Sequence, residues 1–397
     1  MDRRRALFVT AALAALWLAA GYANVARGAS HAGPGYRFWA FQHHCYSDVI
    51  ALHGDRYLGG GRPLPYLEDR IEYPVLLGVA LWLPSFVPGG PLVHFTVTYA
   101  ALALSLALAI AALAGTPGAR PWWLGATPAL VYYAGLNWDL LPIALLAGAA
   151  WADARGRAAG AGALTALGIS AKLFPGAFAP PALAARADAP GARGALAFAA
   201  ALGLTLAAVN GPVALAAPEN WAWFFRFNAE RGAENSIWHA LGVERGPLLE
   251  ALSAGPLLAA TLASVLAASR VARAGGDGAR AARLGTALAL VAWIATNKIW
   301  SPQYALWGFL AGALAGAPLP LFLVLSAASV ADFHVAFEVR ARRWAPWFTD
   351  HVFHPDAVVR TILWLALAAW IARTLWREAR TAPARQAPPA VLWSEPQ

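Results

Sequence analysis

Long apolar runs separated by short polar bursts repeat along this chain, and the runs are continuous rather than alternating. Continuous runs approaching the ~17–25 residues needed to cross a bilayer predict spanning helices, whereas a β-barrel would alternate. The pattern places helices at 6–25, 91–114, 121–135, 139–152, 158–172, 174–185, 193–212, 248–269, 281–297, 302–316, 317–337 and 357–376. Several of these are short enough to be tilted or re-entrant. The run 74–86 is bounded by Pro74, Pro84, Pro88 and Pro91. It reads as a helix lying along the membrane surface or dipping into it. The expectation is an all-α polytopic membrane protein with about twelve transmembrane helices and a large first outer loop carrying juxtamembrane helices.

Composition agrees. The 397 residues are 59% hydrophobic and only 13% charged, against roughly 25% charged in soluble domains. The net charge of +9 does not point to nucleic acid, because the basic residues fall in short clusters between apolar runs. That is how a membrane protein marks its cytoplasmic side. Cys45 is the only cysteine, which excludes an intrachain disulfide and a cysteine-based metal cluster. Arg3-Arg4-Arg5 before an apolar run also fits a signal peptide. The run's continuation to Val25 favours a retained first helix.

Arginine clusters at 3–5, 120, 155 and 157, 186 and 193, 270–283 and 373–385 all face the cytoplasm if the helices alternate, with both termini inside. Arg340, Arg342 and Arg343 depart from that rule. Residues 1–380 then form one membrane domain, with a first outer loop at 26–90 and a second at 211–247. The Pro- and Ala-rich tail 381–397 reads as disordered. The outer segments hold most of the unusual chemistry.

Asp48 ends the stretch Phe41-Gln-His-His-Cys-Tyr46-Ser-Asp48, where a loop leaves the membrane. A carboxylate at the water–lipid boundary accepts a proton when desolvation raises its pKa. A solvated acid or a helix start at Ser47-Asp48 is the plainer alternative. Glu68, Asp69 and Glu72 precede Pro74, where Glu72 would suit a helix N-terminus or bind a hydroxyl or an arginine. No tight Asp-x-Asp marks a metal site. Lysine occurs only at Lys172 and Lys298, every other basic side chain except histidine being arginine. Both lie at outer helix ends, so they read either as phosphate-binding point charges or as snorkelling anchors. Asp139, Asp332 and His334 fall near outer helix ends, and Arg226, Arg231 and His239 lie in an aromatic outer stretch. The arginines and His239 would line a phosphate site or pair with Glu230 and Glu234. There is no phosphate loop, no His-Glu-x-x-His, and Gly59-Gly60-Gly61 lacks the context of a nucleotide site.

One basic-flanked helix is followed by Tyr46-Ser47-Asp48, Tyr66 and Glu72-Tyr73-Pro74, then Asn137-Trp138-Asp139, Lys172-Leu173-Phe174-Pro175, the stretch 231–238 and Ser301-Pro302-Gln303-Tyr304. In this order and spacing the chain resembles the GT-C membrane glycosyltransferases, closest to the glycosyltransferase family 87 type of bacterial α-mannosyltransferase. It departs at Val75, where the family often has a second proline. The resemblance implies a polyprenyl-phosphate-sugar donor, commonly mannose, used without a metal or other cofactor at the outer face of a bacterial plasma membrane. The acceptor would be a glycan or glycolipid. It also implies that Asp48 is the general base. Tyr46, Tyr66, Asp69, Glu72, Asp139, Lys172, Arg231, His239, Lys298, Gln303, Tyr304 and His334 are then candidate substrate contacts. A transporter or lipid flippase is the alternative class, for which matching broken helices in two halves would be expected. A structural subunit is the third.

Overall fold

The computed structural model describes residues 2–58, 60–188, 193–341 and 346–381. The chain is helical, with only isolated bridges between Pro65 and Asp69 and between Glu234 and Ile299 among the described residues. Six helical segments are long and apolar enough to cross a membrane: Arg3–His31, Gly90–Ala114, Arg193–Ala216, Pro247–Arg273, Leu319–Arg340 and Pro346–Thr381. Shorter apolar helices lie among them. This is a helical membrane protein. Arg342, Arg343, Arg385, Gly59 and the expected disorder over 382–397 lie outside the described residues.

The helices are α1 (Arg3–Ala26), α2 (Tyr36–Gln42), α3 (Asp48–Arg56), α4 (Val75–Trp82), α5 (Gly90–Ala114), α6 (Leu140–Ala154), α7 (Ala158–Ala171) and α8 (Ala179–Ala187). They continue as α9 (Arg193–Ala216), α10 (Pro218–Glu230), α11 (Pro247–Arg273), α12 (Gly278–Thr296), α13 (Ala305–Ala315), α14 (Leu319–Arg340) and α15 (His354–Thr381). Local chemistry sets their ends. Asp2 caps α1 by accepting from Arg4 N at 2.6 Å, and Asp277 caps α12 by accepting from Arg280 N at 2.8 Å. Each satisfies an N–H that the first turn leaves unpaired. Pro247 opens α11 at a position that needs no N–H. Gly316, at φ 70°, closes α13.

One expected helix is absent. The run 121–135 is two single turns, Trp122–Gly125 and Leu130–Tyr133. Pro128 lacks the N–H that would bridge them, and Gly125 is a weak helix former. The segment 211–247 is also less of a loop than expected: α9 continues to Ala216 and α10 follows at once.

The core centres on α12 and α13. Every residue of α13 is buried, as is nearly all of α12 from Ala281 onward. Gly308 and Gly312 on α13 leave room for the indoles of Trp364 and Trp123, with which any Cβ there would overlap. Small residues let helices approach without a hydrophobic drive from water. By contrast, Phe198 is the only buried residue of α9, which presents Leu196, Leu204 and Leu215 outward.

Two ends of the bundle differ. At one, Arg283 Nη2 donates to Pro117 O at 2.9 Å and Arg120 Nη1 to Ala317 O at 3.1 Å. There too Arg280 Nε donates to Glu378 at 2.8 Å. At the other end the start of α3, the N-terminal ends of α6, α11 and α13, and the C-terminal ends of α7, α10, α12 and α14 surround a cavity.

Candidate functional site

The cavity has a volume of about 990 Å³. One wall begins at Ser47, whose hydroxyl accepts from Val49 N at 3.1 Å and caps α3. Asp48 is therefore the first helical residue, with its backbone N–H tied to Leu136 O at 2.8 Å. The position is a helix start, and its carboxylate also reaches the cavity. Tyr46 Oη donates to Asp48 Oδ1 at 2.7 Å, and Asn137 Nδ2 donates to Asp48 Oδ2 at 2.7 Å. Arg37 Nη1 in turn donates to Tyr46 Oη at 2.8 Å.

Asn137 organises this wall. Its Nδ2 also donates to Tyr73 Oη at 2.9 Å, while its Oδ1 accepts from Trp138 N at 2.7 Å and from Lys172 Nζ at 3.2 Å. Burial first, then the Asp48 charge, raises both the Tyr46 and Tyr73 hydroxyls well above the ordinary phenol value. Both therefore remain neutral donors. Lys172 Nζ pairs with Asp139 Oδ1 at 2.7 Å, and Trp307 Nε1 donates to that same oxygen at 2.7 Å. Asp139 is fully buried, so the pair is part of the wall rather than an open ligand site.

The facing wall is cationic and aromatic. Lys298 Nζ donates to Glu250 Oε1 at 2.7 Å and to Ala229 O at 3.2 Å. Arg231 pairs with Glu234, and Arg340 Nη2 lies 3.6 Å from the same carboxylate. Glu234 is fixed by its backbone: its N–H donates to Lys298 O at 2.9 Å and its carbonyl accepts from Trp300 N at 2.8 Å. Tyr304 stacks on Trp307 with centroids 4.0 Å apart. Phe224, Phe225 and Phe227 of α10 add apolar wall.

Of the expected contacts, Tyr46, Asp48, Glu72, Lys172, Arg231, Lys298, Gln303 and Tyr304 line the cavity. Asp139 stands behind it through Lys172. Tyr66, Asp69, His239 and His334 do not line it. Tyr66 is buried with φ 68° and donates to Tyr73 O at 2.9 Å and Pro74 O at 2.8 Å, so it pins the first loop beneath α4. Asp69 is taken by Arg56, which also holds Glu72 at 2.8 Å. Glu72 consequently does not cap α4, whose cap position is Pro74. His334 meets His44 at 2.9 Å, and His239 lies 3.0 Å from Glu244. Asp332 is buried with Arg360 and accepts from Trp300 Nε1 at 3.0 Å.

Sequence reasoning missed Arg37, Tyr73, Glu250, Trp307 and Arg340 as cavity residues. Arg340 was legible as an arginine on the less basic side. Tyr73 stood within the quoted Glu72-Tyr73-Pro74, while Arg37, Glu250 and Trp307 carried no separate signal. No protein-family model, curated protein or solved structure matches the chain.

Proposed function

We propose that this protein is a GT-C-type membrane glycosyltransferase of about twelve spans, using a polyprenyl-phosphate hexose, mannose first among the candidates, at the outer face of a bacterial plasma membrane. The acceptor is a glycan or glycolipid. The observation that carries this reading is one cavity lined both by a donor-held carboxylate and by cations whose own carboxylate partners are partly exposed. Asp48 is held by two donors, and Lys298, Arg231 and Arg340 line the same cavity.

In the proposed step the acceptor hydroxyl attacks the anomeric carbon as its proton passes to Asp48. The bond from that carbon to the phosphate oxygen breaks, and polyprenyl phosphate leaves with the electron pair. Cations placed where that charge grows lower the barrier. Arg231, Arg340 and Lys298 take this role, while Lys172 positions Asn137 and through it Asp48. The stacked Tyr304 and Trp307 contribute an aromatic surface beside the sugar. Holding two substrates in register supplies a further part of the rate. The proposed alternation of helices puts the cavity on the outer side and the arginine-rich end in the cytoplasm, in keeping with the positive-inside bias.

The test is transfer of labelled mannose from polyprenyl-phosphate-mannose in membranes holding wild type or Asp48→Asn at equal expression. Label entering a glycan or glycolipid with wild type alone supports both class and base. Equal transfer by both removes Asp48 from the reaction. Failure across donor sugars and acceptors, with counterflow of a solute in vesicles, would replace the enzyme by a transporter.

A further inference from the structure

A second cavity, of about 1180 Å³, lies between α11 and α15 at the end remote from Asp48. Its walls are Ala263, Leu266 and Ala267 of α11 and Ala372, Leu375 and Trp376 of α15. Leu288 of α12 also lines it. Leu266 is 62% and Trp376 61% exposed, so the groove is open along the helix faces that meet lipid. Arg270 and Arg273 stand at one end of it, and Arg373 lines it about 9 Å along α15 from Ala379, which Arg270 reaches. No acidic residue lines it.

The dimensions fit one leaflet. From Ala263 to Arg273 an α-helix rises about 15 Å, which is half of the ~30 Å hydrocarbon core. An acyl chain entering at the arginine level would end near Ala263. The three cations are only partly used within the protein. Arg270 Nε donates to Ala379 O at 3.1 Å, which ties the groove's two walls together. Arg273 Nε meets Asp188 at 2.9 Å while the side chain stays 71% exposed. Arg373 is exposed and has no ion pair among the described residues. The nearby Glu378 is engaged by Arg280 at 2.8 Å. A headgroup at this level therefore meets net positive charge, and Trp376 is placed like the aromatic residues that mark a membrane boundary.

We infer that this groove is a binding site for an anionic phospholipid, with an acyl chain between α11 and α15 and the phosphate at Arg270 and Arg273. The charge complementarity favours it over a zwitterionic lipid. The inference does not depend on the chemistry of the first cavity, and its test does not read transfer.

The experiment is native mass spectrometry of the full chain in detergent, with phosphatidylglycerol, phosphatidylcholine of the same acyl chains, or inorganic phosphate. Phosphatidylglycerol adducts are expected to survive activation energies that strip phosphatidylcholine. Arg273→Gln should weaken phosphatidylglycerol binding about fivefold, the usual worth of one basic residue at an anionic surface. Ala263→Trp, at an exposed position, should fill the groove and reduce lipid retention with every arginine intact. Equal retention of the two lipids, or no change in either variant, would overturn the site. Full competition by inorganic phosphate, with Ala263→Trp silent, would also overturn it and leave a bare anion site.

Discussion

At the arginine-rich end of the bundle, two cations act as latches. Arg283 and Arg120 donate to the carbonyls of Pro117 and Ala317, so charge is spent on closing orphan backbone groups and joining helices. At the opposite end, Lys172, Lys298 and Arg231 are paired with carboxylates on the wall of a large cavity. The same side-chain chemistry therefore does two jobs. Arg283, 2% exposed, has no route to a ligand. A cation bound to a partly exposed carboxylate such as Glu250 or Glu234, with side chains 56% and 47% exposed, can exchange that partner for a phosphate.

The widest separation of the two ends is expected from Asp48→Asn. In the proposed reaction Asp48 is the general base, whose removal typically costs about 10²–10⁴ in rate, so the proposed mannose transfer should fall by that factor with thermal stability unchanged. Lys172→Met should cost both. It strands Asp139, which is fully buried, and breaking such a pair destabilises by about 3–5 kcal/mol. Denaturation in detergent should show an early transition, and the surviving fraction should transfer poorly because Asn137 loses a donor. A Lys172→Met protein as stable as wild type would mean that water enters and solvates Asp139.

Arg283→Met is the matching change at the other end. Losing its charge-assisted bond to Pro117 O should cost about 1.5–3 kcal/mol, with transfer per folded molecule intact. A loss of turnover there would erase the division between latching and working ends. Gly312→Ala tests the core between them. Its Cβ would overlap Trp123, and overpacking of this kind costs about 1–3 kcal/mol. The smallest effect is a dependence on pH. His53 is buried with Nδ1 unpartnered, and burial lowers its pKa from 6.5. The unfolded chain then takes up the proton first as pH falls, so this contribution is present above pH 6.5 and is lost below it. His53→Gln should flatten the acid side of the stability profile.

The helices were largely legible because bilayer thickness imposes length and hydropathy on them. The exception at 121–135 arose because hydropathy reports burial and says nothing of the hydrogen bond that Pro128 cannot make. The working residues were legible where charge stood out against its background. The two lysines in an arginine-using chain both line the cavity, as does Asp48. Asp69 looked equivalent to Glu72, since sequence does not reveal that Arg56 takes Asp69 away from the cavity while leaving Glu72 on its rim. Glu250 was read simply as part of a spanning run, although at the first turn of α11 its side chain reaches Lys298.

The first loop has one more property. Its exposed residues include the apolar Leu58, Leu64, Leu67, Val79, Leu83, Phe86 and Val87, on a segment that begins and ends at helix termini. Arg62 lies over the Phe86 ring at 5.2 Å, a polar head beside an apolar side chain. Such a surface rides at the boundary between water and lipid, as a float does. Because Tyr66 moors the loop to Tyr73 and Pro74, the float sets the waterline of the rim that carries Glu72 and Asp48. A thinner or thicker bilayer would then move the whole rim together, with its internal bonds unbroken.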